Sequence, residues 1–127
     1  MERINISDIM KNRERVGSIL RGIRTMNEVT QRDIAVSLGY VNINFISMIE
    51  TGRSSPPLGK LVELKNAYKF EPEIILIILR YLYPEIWDAM IGAMASCTDI
   101  FNADLDGIEK KVETKFREFI KDYSMVA

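Results

Sequence analysis

The amino-acid sequence predicts an all-α fold, and three observations carry that expectation. Apolar residues recur every three or four positions from Val16 to Tyr123, the spacing that gathers side chains on one face of a helix. Residues 30–52, TQRDIAVSLGYVNINFISMIETG, read as two short helices joined at a glycine. Prolines at positions 56, 57, 72 and 84 flank the apolar runs, where a missing N–H ends or opens a helix.

The first helix is expected over 12–26, with Val16, Ile19, Leu20 and Ile23 as its apolar face. Lys11, Arg13 and Arg15 precede or open it. Thr30 is an N-cap for the second helix, since its hydroxyl accepts from free backbone N–H groups one turn on. Asp33 adds negative charge at that positive end. Ile34, Ala35 and Leu38 form the buried stripe, and Gly39 ends the helix in a left-handed turn. Asn42 is expected to cap the third helix. Ile46 and Ile49 then face inward, Phe45 is read as core, and Ile43, Asn44, Ser47 and Met48 face outward. Gly52 closes this helix and Pro56-Pro57 prevents its continuation.

A fourth helix is expected over 57–69, with Leu58, Leu61, Leu64 and Tyr68 inward. Glu71-Pro72 opens a fifth, whose run from Ile74 to Leu79 is apolar all round and must be covered on both sides. Pro84 breaks it, and residues 85–96 form a further helix. Thr98 or Asp99 is expected to cap a last helix reaching Ser124. On it Phe101, Leu105, Ile108, Val112, Phe116, Phe119 and Tyr123 make nearly a heptad seam with one stutter. Such a seam fits packing on the same chain or pairing with a second copy. Gly107 counts against a long isolated coiled coil, at about 1 kcal/mol for a glycine in a helix interior. Pairing is the reading preferred, with Ile108, Val112, Phe116 and Phe119 as dimerisation residues.

The segment 15–70 resembles the phage-repressor or XRE-type helix-turn-helix regulators. The shared pattern is Leu20-Arg21 and Arg24, then Thr30-Gln31, Ile34-Ala35 and Leu38-Gly39, then Ile46-Ser47, Ile49-Glu50 and Gly52-Arg53, then Pro57, Leu61 and Leu64. In one respect the chain departs from it: Gly39 to Ile46 is seven steps where the family has six. The resemblance implies a five-helix repressor-like helix-turn-helix domain over 1–71, followed by a helical C-terminal extension over 72–127. It implies that Gln31 hydrogen-bonds a DNA phosphate. It also implies that Arg24 and Glu50 pair, tying the first helix to the end of the recognition helix, with Arg24 near the DNA backbone. A helix-turn-helix places its second helix in the major groove. The outward set Ile43, Asn44, Ser47 and Met48 is therefore the expected base-reading face. The Asn44 amide both donates and accepts, which matches an adenine edge, and Ile43 and Met48 suit thymine methyls. Asn42, Arg53, Lys60 and Tyr40 complete the expected backbone contacts, with core packing the other reading for Tyr40.

Charge and composition fit this. Residues 1–60 carry nine Lys/Arg against six Asp/Glu, and residues 61–127 eight against twelve. That mild split suits a DNA-facing front and an acidic back able to take a protein partner. Enzyme chemistry is disfavoured. The chain has no His, and its one Cys97 gives neither a dyad nor a zinc site. Asp104-Leu-Asp106-Gly107 lacks the later ligands of a calcium loop, and no glycine-rich phosphate loop is present. No metal, cofactor or catalytic residue is expected. A lone cysteine points to a reducing compartment, residues 1–10 do not read as a signal peptide, and the apolar run ends at Arg80, short of the ~20 residues of a membrane span. A cytoplasmic, nucleoid-associated protein is the expectation. The sequence is thus read as a sequence-specific duplex-DNA-binding transcriptional regulator, a repressor, acting as a homodimer. The alternative from another class is a protein-interaction module, an antitoxin or adaptor, whose helix-turn-helix is mainly scaffold.

Overall fold

A computed structural model describes residues 4–100 and 102–123. Among them are seven α-helices and one 3-10 turn, with no strand. The helices are α1 (Ile9–Met26), α2 (Gln31–Ser37), α3 (Asn44–Glu50), α4 (Leu61–Tyr68), α5 (Glu73–Leu82), α6 (Pro84–Ser96) and α7 (Leu105–Tyr123). The all-α expectation and its helix-turn-helix layout hold.

α1 begins earlier than expected because Asp8 caps it, accepting from the Lys11 N–H at 3.2 Å. Lys11, Arg13 and Arg15 therefore lie within the helix. Val16, Ile19, Leu20 and Ile23 are buried as expected. Asn12 is buried too, its amide donating to the Asn5 carbonyl at 3.1 Å and the Tyr81 carbonyl at 3.4 Å. α2 opens on a capping box: the Asp33 N–H donates to Thr30 Oγ1 and the Thr30 N–H to Asp33 Oδ2, both at 3.0 Å. The backbone bond from Thr30, then its hydroxyl, hold the Asp33 carboxyl below its ordinary range. α2 ends with Gly39 at φ +79, the Tyr40 N–H reaching the Ala35 carbonyl and the Gly39 N–H the Val36 carbonyl. This paired closure satisfies two orphan carbonyls. α3 ends the same way at Gly52, φ +81.

Four further expectations are corrected. Asn42 does not cap α3 directly: Ile43 is the N-cap and makes no side-chain bond, while Asn42 Oδ1 accepts the Asn44 N–H at 2.9 Å from the turn before it. The fourth helix is split, a 3-10 turn at Leu58–Lys60 preceding α4, and Leu58 is exposed. The last helix starts at Leu105, because Asp104 provides the cap through the Gly107 N–H at 3.0 Å. Gly107 thus sits in a first turn, where its helix cost is small. Phe101 and Ser124 lie outside the described residues.

The fourth correction concerns the seam. Val112, Phe116 and Phe119 are buried within this one chain, where α7 packs along α1 and α5. The Phe116 ring lies 4.4 Å from that of Tyr81. A near-heptad stripe serves a helix laid on its own core as well as one laid on a partner, and here the core takes it. Ile108 is only half-buried. The buried residues of α1–α5, α6 and α7 form one continuous hydrophobic cluster, so packing shows no break at residue 71. α5 is covered on its Ile74, Ile77, Ile78, Tyr81 and Leu82 side, while Ile75, Leu76 and Leu79 stay half-buried. No helix among the described residues is long and apolar enough to cross a membrane.

Candidate nucleic-acid interface

α2, its turn and α3 are fastened to the rest of the chain by one carboxylate. Glu50, the last residue of α3, is buried and accepts four hydrogen bonds. Arg24 donates through Nε to Oε2 at 2.8 Å and through Nη2 to Oε1 at 2.9 Å. The Tyr68 hydroxyl donates to Oε2 at 2.6 Å. Gln31 Nε2 donates to Oε1 at 3.2 Å. Four donors saturate the lone-pair sites of one carboxylate. Hydrogen bonding to Glu50 pushes the Arg24 guanidinium further up, against the opposing effect of burial. Burial, then the Glu50 charge, pushes the Tyr68 hydroxyl far above its ordinary range.

The geometry sorts the expected site residues. Arg24 and Glu50 pair as expected, and Arg24 Nη1 also donates to the Val29 carbonyl at 3.0 Å. Every guanidinium nitrogen thus has an acceptor within the chain, which makes Arg24 part of the scaffold and not a free backbone contact. Gln31 is half-buried and gives one amide hydrogen to Glu50, leaving its carbonyl oxygen uncommitted by that bond. Lys60 is tied down as well. Its Nζ lies 3.5 Å from the Leu38 carbonyl at the end of α2, 3.5 Å from Glu63 Oε2 and 5.8 Å from the Tyr40 ring centre. Tyr40 is half-buried and packs edge-on against Phe45, ring centres 5.4 Å apart. Phe45 rests against the core, as expected.

The outward face of α3 is open. Ile43, Asn44 and Met48 are exposed and Ser47 is half-exposed, while Ile46 and Ile49 are buried. Asn42 and Arg53 are exposed on either side. Beside this face runs a groove of ≈ 520 Å³ lined by the start of α2 and the turn, from Arg24, Gln31 and Arg32 to Val41, Asn42 and Ile43. No carboxylate lines it. α3 seats closely on α1: a Cβ on Gly17 would come within 2.5 Å of the Ile49 carbonyl oxygen.

Sequence reasoning missed Tyr68 as the fourth member of the Glu50 cluster, and Arg32, Val36 and Val41 on the groove. Tyr68 was read as an apolar contact, and a buried phenol usually finds a partner for its O–H. That tendency was the available signal.

The chain is similar to an HTH-type transcriptional regulator. This relative, the uncharacterized y4dL of Sinorhizobium fredii, is 29% identical over 105 residues, which cover 83% of this chain and 51% of the relative. The chain therefore spans about half of the relative's length. No family model matches the chain, and no solved structure does.

Proposed function

We propose that this chain is a sequence-specific duplex-DNA-binding transcriptional regulator of the phage-repressor or XRE type, acting as a repressor in the cytoplasm. The observation that carries the reading is the exposed face of Ile43, Asn44, Ser47 and Met48 on a helix locked at its far end by Glu50. A helix entering the major groove must show polar and methyl-seeking side chains at its start and be rigid behind them. Gln31 through its free oxygen is a poor phosphate ligand, since phosphate requires donors; its second amide hydrogen and the exposed Arg53 and Asn42 are the better ones. The name of the Sinorhizobium relative supports the same class.

The regulator acts as a homodimer in this reading, because two recognition helices about one DNA turn apart, ~34 Å, read two half-sites. With Val112, Phe116 and Phe119 spent inside the chain, the second copy meets the apolar surface left over on the C-terminal half, Ile86, Met90 and Ile91 of α6 among it. The same surface is what favours the alternative, a module that binds a different protein. Selection from random duplex DNA tests the main reading. The expected result is an inverted repeat bound with a steep salt dependence, because phosphate contact releases counterions. Binding indifferent to salt and sequence would favour the alternative.

A further inference from the structure

Val41 stands at the tip of the lengthened turn with 101% relative exposure. Turn tips ordinarily carry Gly, Asn, Asp or Ser, each for a conformational reason, and a β-branched apolar residue serves none of these. A single exposed valine is unremarkable, but this one has company. Val36, 69% exposed, and Ile43, 39% exposed, line the same groove as Val41.

The frame under Val41 is rigid on both sides. Before it, Tyr40 is held by its N–H on the Ala35 carbonyl and by its ring against Phe45. After it, Asn42 is closed onto the Asn44 N–H. The valine is therefore held out on a braced turn. The lining of the groove includes the exposed Arg32 and no carboxylate, the charge of Arg24 being taken up by Glu50, so its remaining charge suits an anionic partner. An anionic surface that also offers isolated methyl groups is the DNA major groove, where thymine carries a C5-methyl beside the phosphates.

We infer that Val41, flanked by Val36 and Ile43, reads a C5-methylpyrimidine in the major groove, so that base recognition begins in the turn and not in α3. This rests on the proposed DNA binding. Thymine and 5-methylcytosine present the same methyl, and the experiment separates them. The extra residue of the turn extends the reading surface beyond the helix start, toward bases that the face of α3 does not reach.

The test uses the intact chain and a duplex recovered by selection, with affinity read by fluorescence anisotropy. Each thymine is replaced singly by deoxyuridine, which deletes only the methyl. At one position in each half-site, binding should weaken about fourfold, the effect of one buried methyl-sized group. Cytosine at that position should bind more weakly still, and 5-methylcytosine should regain the methyl's share; whichever methylated base binds tighter is the natural target. Val41→Ser removes both methyls and places a residue that turns accept readily. It should bind the thymine and deoxyuridine duplexes equally at that position, keep the effects of other positions, and melt at the same temperature. Tight specific binding with no deoxyuridine-sensitive position overturns the inference, as does an undiminished thymine preference in Val41→Ser. Absence of salt-sensitive binding to any duplex would instead show that the proposed function had failed, and the inference with it.

Discussion

Replacing Arg24 by methionine isolates what holds α3 in place. The side chain of Glu50 is 2% exposed and that of Arg24 15%. Arg24→Met removes two short charge-assisted bonds and leaves the carboxylate with Tyr68 and Gln31 alone. Breaking one partner from a buried pair costs about 3–5 kcal/mol. The two surviving donors and the partly open Arg24 side place the expected loss at the low end, about 3 kcal/mol. With a urea slope near 2 kcal/mol per molar, the unfolding midpoint falls by about 1.5 M. Glu50→Met should cost a similar amount, since it strands Arg24 and the Tyr68 hydroxyl. The double variant should cost clearly less than the sum, because the stranded charge is then gone. Circular dichroism against urea measures all three. A midpoint shift under about 0.3 M for Arg24→Met, or strictly additive single effects, would show that the pair is incidental to the fold.

Other outcomes follow from the same structure. Glu28 holds a left-handed conformation, φ 57, at the end of α1, so Glu28→Gly should raise stability by up to about 1 kcal/mol, read as a higher melting temperature. Folding pushes the Tyr68 hydroxyl up, so its contribution is full below the unfolded value near 10 and is lost as pH rises above it; urea midpoints from pH 8 to 11 should fall less steeply in Tyr68→Phe. Asn44→Ala should lose about 1–3 kcal/mol on the selected site while random-sequence binding holds, whereas Arg53→Ala should weaken both and lower the salt slope by about one; equal losses on both duplexes for Asn44→Ala would make it a positioning residue. Light scattering at micromolar concentration should give twice the mass of the chain, and a clean monomer on a non-palindromic site would end the dimer reading.

The segment from Thr30 to Gly52 was legible because its signals are local. A threonine cap, a turn glycine and a closing glycine act on their own neighbours, and each behaves as its chemistry requires. The start of α7 was not legible, since Thr98, Asp99 and Asp104 carry the same capping chemistry and only packing chooses between them. The seam misled because 3- and 4-residue spacing is common to a helix on its own core and one on a partner. The Arg24–Glu50 pair was visible through the resemblance, while Tyr68 joined it only once α4 was placed. The outward face of α3 followed from helical periodicity. The exposed tip at Val41 did not, because a turn has no periodicity to read.

Two glycines of α1 mark where other helices press upon it. A Cβ on Gly17 would strike the carbonyls of Ile49 and Glu50, and one on Gly22 would come within 2.9 Å of Tyr123. Five residues apart, they point about 140° apart around the axis. α1 is therefore a spine gripped from two sides, by α3 and by α7. Such a protein resists modular surgery. A graft of the first 71 residues onto another body would strip one wall from the spine and leave Phe116's partners in water. Exchanging the turn and the outer face of α3 leaves both grips untouched. Small substitutions on that outer surface are thus compatible with the fold, while residues 1–71 keep both walls of the spine only together with α7.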